Sequence, residues 1–435
     1  MQLKAKITEK LVSSLWHSHV VRYPVADTGE WLHVIFPGRA SNSGGDFKDA
    51  VVGLNGRIVT GDIEVHVKSS QWQSHGHHRD PAYNNIVVHI VWQQDSGEMT
   101  RLQNGRAVPT VALEPYMTRQ AAVLLEPGES NGMRCPYNHL DCRALSRVLS
   151  RAGMERFKIK SVAFQEQLAE EKPEQVLYRG ICRALGYAQN AEPLQQLAQR
   201  LPVAVLKKHG QQSMLQQALL LGHAGLLPSQ RNMDFVDRAS ASLERIWHST
   251  NITDTMKSTD WCFFRVRPDN FPTRRIVALS YMLDRLGPQG LLASILDLVE
   301  EAPGEQAHIR LEEGLTISDG GYWQQHFDFG LSSGRRSALI GCQKATAVVV
   351  NIALPFAVAF ARKNADSKLK LKAKEIYRLY PSREENELTR FMRHQLSLPL
   401  NLRISACQQQ GLIHLFNAYC RQRNCLDCPV SINRG

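Results

Sequence analysis

Between Arg57 and Lys68 the chain alternates: Asp62, Glu64, His66 and Lys68 fall at every second position, with Ile63, Val65 and Val67 between them. Period two marks a half-buried β-strand, whose successive side chains leave opposite faces of a sheet. A helix would scatter the same residues around its circumference. One face is therefore apolar and the other carries four ionisable groups in a row, so that row is either a solvated face or a place for chemistry.

The surroundings suit a sheet. "WLHVIF" (31–36), "KDAVVGL" (48–54) and "NIVVHIVW" (85–92) are rich in β-branched and aromatic residues. Asn55-Gly56 predicts a type I′ hairpin before the alternating strand, because both central residues of that turn need positive φ. "SSQWQSHGHHRDPAY" (69–83) predicts a short helix or an ordered loop, and "MQLKAKITEKLVSSLW" an amphipathic opening helix without a signal-peptide core. The expected order is helix, three strands, crossover, strand.

From about residue 139 apolar residues recur three and four apart, the period of packed helices. "LLEPGESNGMRCPYNHL" gathers turn formers and places a boundary near 120–140. The expected organisation is an α/β core over 1–125, a mainly α-helical domain over 126–400, and a cysteine cluster over 401–435 packed on the helical domain. The apolar run at 345–361 contains Asn351 and Pro355 and reads as a buried, bent helix shorter than a membrane span. The expectation is a soluble cytoplasmic protein with no membrane contact.

"SNSGGDFKDA" (41–50) brings Asp46 to the start of a strand, and the hairpin would set it near Glu64. Two carboxylates on neighbouring strands form an oxygen-rich site suited to Mg²⁺ or Mn²⁺, which lowers the pKa of bound water and neutralises charge on a phosphate. His75, His77, His78 and Asp80 in the crossover, with His66 and His89 on strands, offer instead a nitrogen-rich site for Zn²⁺ or another transition metal.

The first arrangement resembles the restriction-endonuclease-like PD-(D/E)xK nuclease superfamily over roughly residues 5–95. That resemblance implies a mixed sheet flanked by helices, with Asp46 and Glu64 as metal ligands. His66 takes the place of the superfamily's lysine, and Lys68 lies two residues further along the same face, so either orients the attacking water. Across most of the chain, "PGRASNSGGDFKDA", "GDIEVHVKSSQWQSHGHHRDPAYNNIVVHIVW", "LYRGICRALGYAQN", "FRVRPDNFPTRRI" and "QQGLIHLFNAYCRQRNCLDC" are similar to the bacterial family catalogued as domain of unknown function two-eight-five-one. Its pattern falls on Asp46, Glu64, His66, Lys68, Trp72, His75, His77 and Asp80. The family name carries no activity and supports motif placement.

Nine cysteines in a long chain without a secretion signal point to thiols or metal ligands rather than a disulfide framework. Cys420, Cys425 and Cys428 are spaced for one metal, zinc or an iron–sulfur cluster, with Cys407 or His414 completing the set. Cys135 and Cys142, far from other thiols in sequence, are not expected to form a second site. Lysine plus arginine outnumber aspartate plus glutamate by 52 to 41, which favours a polyanionic partner. Candidate phosphate contacts are Arg265, Arg267, Arg274 and Arg275 in one loop, and Lys368, Lys370, Lys372 and Lys374 in one helix.

These readings lead to a metal-dependent nucleic-acid phosphodiesterase, acting on DNA in the first instance, in which His75, His77, Asp80 and His89 support Asp46, Glu64, His66 and Lys68. The alternatives are a non-catalytic nucleic-acid-binding or scaffold protein on the same fold, and a transition-metal hydrolase built on the histidines.

Overall fold

The alternating segment is the central strand of a mixed sheet. The computed structural model describes residues 7–18, 21, 23–41, 44–54, 56–117, 135–208, 213–233, 237–264, 266–286, 289–399 and 401–432. The chain divides into two units: unit 1 takes Met1–Val148, Glu385–Leu402 and Leu412–Gly435, and unit 2 takes Leu149–Glu384 with Arg403–Gly411.

In unit 1, α1 (Glu9–His17) is followed by β1 (Leu32–Phe36), β2 (Arg39–Ala40), β3 (Phe47–Leu54) and β4 (Arg57–Lys68). A short α2 (Gln71–Ser74) and two 3₁₀ turns then lead to β5 (Ile86–Gln93), β6 (Thr110–Ala112) and α3 (Glu114–Met117). The sheet order is β1-β3-β4-β5-β6, with β2 paired to β3. β1, β3 and β4 form an antiparallel meander, while β5 and β6 add in parallel. This is the expected order of elements, with β2 and β6 as additions. Gly56 has φ 74, as the predicted hairpin demands, and Asn55 lies outside the described residues.

Ile63 and Val65 join Val12 and Trp16 of α1 in one core, so the helix covers the apolar face of β4. The opposite face is covered too. Trp72 of α2 packs with Ile86, Leu102 and Val108, and its indole N–H donates to the Arg101 carbonyl at 2.9 Å. Asp62, Glu64 and His66 are consequently only 3%, 6% and 2% exposed. The ionisable row is not a wet face. Such groups stay buried only when they are paired or neutral.

The boundaries differ from the expected 125 and 400. The C-terminal segment joins unit 1 rather than the helical unit because its contacts run there. Phe36 of β1 meets Phe391 and Phe416 edge-on, with ring centroids 5.1 and 5.4 Å apart. The Cys135 N–H donates to the Gln395 carbonyl at 2.7 Å, and the Asn138 side-chain amide to the Leu396 carbonyl at 2.8 Å.

Unit 2 is mainly helical around a large apolar core. Cys342–Lys363 forms a continuous 22-residue helix, long and apolar enough to cross a membrane by length and composition, which corrects the expectation of a shorter segment. Most of it is buried inside the unit. Val349–Ala353 widens to a π-helix just before Pro355, which lacks the N–H that a regular turn would use.

Candidate functional site

Three devices of unit 1 converge on the polar face of β4. The first is a β-bulge. Phe47 pairs with Ile63 and Ala50 with Gly61, so Lys48 and Asp49 together oppose Asp62, and Asp49 takes φ 55. The extra residue turns Lys48 onto Asp62, with Nζ 2.5 Å from Oδ2, and leaves Asp46 at the mouth of the strand pair.

The second is the glycine turn before Asp46. A Cβ on Gly45 would lie 2.7 Å from Ile86 Cδ1 and 2.9 Å from the Ile63 carbonyl, so only glycine brings the backbone this close to β4. Asp46 and Glu64 then exchange hydrogen bonds with each other's strands. The Asp46 N–H donates to Glu64 Oε2 at 3.2 Å, and the Val65 N–H donates to Asp46 Oδ2 at 3.0 Å. The pairing of Asp46 with Glu64 is as the sequence predicts.

The third is the crossover. Gly76, at φ 77, makes the left-handed turn between His75 and His77 that lets both rings reach His66. His66 Nε2 lies 3.2 Å from His75 Nδ1, and His77 stacks on His66 with centroids 5.2 Å apart and packs at a tilt on Tyr83 at 4.0 Å. One nitrogen from each of His66, His75 and His77 falls within 4.8 Å of the others. Among the described residues this is the one group of three or more such ligand atoms gathered so tightly.

Glu64 closes the group. Its Oε1 is 3.3 Å from His77 Nε2 and 3.7 Å from His66 Nε2. His77 Nε2 is buried without a hydrogen bond of proper geometry. Burial, and then the neighbouring Asp46 carboxylate, push the Glu64 carboxyl up to about 9, so it carries a proton at neutral pH. Burial likewise pushes His66 down to about 2, His89 to about 3 and His77 to about 4, each aided by the other histidines, and leaves the imidazoles neutral. Neutral imidazole lone pairs, an orphaned nitrogen and a proton-holding carboxylate are a donor set that a divalent transition metal fits, displacing one proton.

Behind His66 runs a relay into the sheet. His66 Nδ1 is 2.8 Å from His89 Nε2, His89 Nδ1 is 2.9 Å from Thr100 Oγ1, and Thr100 Oγ1 is 2.9 Å from Thr110 Oγ1. With the His66 Nε2 lone pair facing the cluster, Nδ1–H donates to His89, whose Nδ1–H donates to Thr100. One tautomer satisfies the whole chain, which fixes the ring as outer hydrogen bonds fix metal-ligating histidines. Thr100, Thr110 and Tyr83 have no pattern in the sequence that marks them for this role.

Other expected residues stand apart. Lys68, 56% exposed at the end of β4, reaches Asp95 at 3.8 Å rather than the Asp46–Glu64 pair. Asp80 caps the second 3₁₀ turn, accepting from the Ala82 N–H at 2.8 Å. Arg274 and Arg275 are buried, against the expectation of phosphate contact. The Arg274 guanidinium donates to the carbonyls of Trp323, His326 and Ser337 at 2.7, 2.8 and 2.9 Å, and Arg275 donates to Leu339 O and to Asn270 Oδ1. These cations hold loops that would otherwise bury bare carbonyls. Arg267 is exposed, and Arg265 lies outside the described residues.

The lysine helix, Ser367–Leu379, turns Leu369, Ala373, Ile376 and Tyr377 inward. Lys368 is exposed, and Lys370 and Lys372 are partly so. Lys374 lines a cavity of about 570 Å³ within unit 2 together with Arg151, Lys158, Arg362 and Arg378. Cys407 is buried in unit 2, its Sγ 3.6 Å from the Ser150 carbonyl, whereas Cys420, Cys425 and Cys428 belong to unit 1. His414 sits edge-on to Tyr419 at 6.4 Å. The thiol that does join the C-terminal three is Cys135, which with Cys420, Cys425 and Cys428 lines a separate cavity of unit 1.

The architecture is a mixed-sheet unit with a buried carboxylate–histidine cluster on its central strand, accompanied by a helical unit. Residues 9–387 match the family described as "Protein of unknown function (DUF2851)", and the chain belongs to that family. Among curated proteins and among solved structures, none matches this chain.

Proposed function

We propose that this protein is a metal-dependent hydrolase of phosphodiester bonds in nucleic acid, with its reaction centre at Asp46, Glu64, His66, His75 and His77. The observation that carries this reading is the convergence of Glu64 and the imidazoles of His66, His75 and His77 on one face of β4, at the mouth left by Asp46. The order of helix, antiparallel meander, short helix and parallel strand supports the restriction-endonuclease-like resemblance, and so does the pairing of Asp46 with Glu64.

Nitrogen donors select Mn²⁺, Zn²⁺ or another transition ion over Mg²⁺, which prefers an all-oxygen shell. Such an ion supplies Lewis acidity and a water of lowered pKa. His66, His75, His77 and Glu64 would hold it, while His89 and Thr100 would keep the His66 ring in one tautomer. Asp46, partly exposed, stands where it can take a proton from the attacking water. The excess of basic residues, including those around the Lys374 cavity, would collect a polyanion.

A second reading is a metal-holding nucleic-acid binder without turnover. It is favoured by Lys68, which sits at Asp95 rather than beside the carboxylates. The two separate in one experiment. Full-length protein is loaded in turn with Mg²⁺, Mn²⁺ and Zn²⁺ and incubated with single- and double-stranded DNA and RNA. Cleavage lost in Glu64→Gln and His66→Ala, with salt-sensitive binding kept, supports the hydrolase. Binding without cleavage under every ion supports the second reading, and equal cleavage by Glu64→Gln removes the first.

A further inference from the structure

Four of the nine cysteines line one cavity of about 380 Å³ within unit 1: Cys135, Cys420, Cys425 and Cys428. Some 285 residues separate Cys135 from Cys420 in the chain, yet two anchors hold Cys135 in place. Its own N–H donates to the Gln395 carbonyl, and Asn138 ties the following turn to Leu396. Gln395 and Leu396 line the same cavity.

The other three thiols sit in a segment built of tight turns. Cys420 opens a 3₁₀ turn that ends at Arg423, whose φ is 54. Cys425-x-x-Cys428 is closed by the Cys428 N–H donating to the Cys425 carbonyl at 3.2 Å, and the Ser431 hydroxyl donates to the carbonyls of both cysteines. Burial pushes the Cys428 thiol up, and the backbone N–H groups of Val430 and Ser431 at its sulfur offset part of that rise. Amides aimed at a buried sulfur favour a thiolate over a thiol and recur around cysteine-ligated metals.

Thiols that served packing alone would need no such convergence. Burial, and then the neighbouring Cys428, Cys135 and Cys425, push the Cys420 thiol up, which disfavours its thiolate while no cation is near. A thiophilic metal removes that difficulty, since each sulfur loses its proton as its bond to the metal forms. A chelate of this kind contributes folding free energy directly.

We propose that Cys135, Cys420, Cys425 and Cys428 together ligate one thiophilic metal centre, either a zinc ion or an iron–sulfur cluster, that fastens residues 135–138 to residues 420–428 of unit 1. The centre is independent of the histidine site and takes its fourth ligand from Cys135 rather than from Cys407. The four sulfurs are not gathered as tightly as the nitrogens of the histidine group. A single ion with bonds of about 2.3 Å would need them to close inward, whereas a cluster would span a wider gap.

The test is metal analysis of full-length protein purified without oxygen, followed by thiol mapping. The expected result is about one zinc, or about four irons with acid-labile sulfide and visible absorption, per chain. Alkylation of the native protein, read by peptide mass spectrometry, should spare Cys135, Cys420, Cys425 and Cys428 until a chelator is added, while exposed Cys142 and Cys342 react throughout. Cys135→Ser should reduce the bound metal to background and Cys407→Ser should leave it unchanged. Because Cys135→Ser can fail to fold, the labelling pattern of the unsubstituted protein decides independently. Metal-free protein, disulfides among the four, or metal-dependent protection of Cys407 in place of Cys135 overturns the proposal.

Discussion

Glu64 Oε1 lies 3.3 Å from the buried Nε2 of His77, and at that approach a carboxyl pushed up to about 9 faces an imidazole pushed down to about 4. Both groups are neutral at pH 7. In most protein ion pairs the two shifts run the other way, each group charging its neighbour. Here burial dominates both, and the pair is held in its uncharged form.

The first consequence is a stability profile. His66, His77 and His89 are depressed from about 6.5, so the unfolded chain binds more protons between about 2 and 6.5, and stability falls as pH drops through that window. Glu64 is raised, so the folded protein binds the extra proton from about 4.5 to about 9, and stability falls as pH rises through that range. Metal-free protein should be most stable near pH 6.5. Denaturant midpoints measured from pH 4 to 9 check this, and a flat profile would refute the burial of these groups.

Metal binding should release a proton near neutral pH, because Glu64 must ionise to become a ligand. Calorimetry at pH 7.5 in buffers of differing ionisation enthalpy should give about one proton per ion. In Glu64→Gln the release should vanish. The same variant should be more stable than the unsubstituted protein at pH 7 when metal-free, since glutamine resembles the protonated carboxyl but has no ionised form for the unfolded chain to favour, and it should lack the fall toward pH 9.

His89 touches no candidate substrate atom, yet it orients His66. Replacing it by alanine should weaken metal binding roughly 10- to 100-fold, the usual effect of removing an outer hydrogen bond. His89→Gln, which keeps a polar partner for His66 and Thr100, should recover part of that affinity. Competition against a coloured chelator gives both constants.

Gly45 is a steric requirement. A methyl group there would meet Ile86 and the Ile63 carbonyl inside van der Waals distance. Gly45→Ala should therefore cost about 1–3 kcal/mol. It should also displace Asp46, seen as a larger drop in turnover than in metal affinity.

Arg274 and the lysine helix separate structure from binding. Arg274→Ala should destabilise unit 2 by at least about 3 kcal/mol, since several carbonyls are left without their charged donor. It should leave affinity for nucleic acid unchanged per folded molecule. Replacing Lys374 and Arg378 by glutamine should instead lower the salt slope of binding by roughly one unit for each phosphate no longer neutralised, with little change in stability.

Much of unit 1 is legible in its residues. Period-two alternation, the Asn55-Gly56 turn and the Gly44-Gly45 lead-in determine the meander and bring Asp46 beside Glu64. Burial of the polar face is not legible, because it depends on Trp72 and the crossover folding back over β4, a tertiary choice that no local period records. The arginines of "FRVRPDNFPTRR" fail for a related reason. A cation beside aromatics reads the same whether it faces a phosphate or a set of buried carbonyls, and only the path of the loops near Trp323 and Ser337 decides. Distance along the chain hides Cys135, and nearness along the chain favours Cys407. Proximity in space follows neither.

Unit 1 is assembled from three stretches of chain, with all but a few residues of unit 2 synthesised between the first and the second. On the ribosome, the strand that carries Glu64 and His66 emerges early. The residues that complete its unit, 385–402 and 412–435, emerge only after more than two hundred others, a wait of tens of seconds at roughly 5–20 residues per second. The sheet must hold its shape, or be held, through that interval. The carboxylate–histidine cluster is thus among the first parts of the molecule to be made, within a unit that is among the last to be finished.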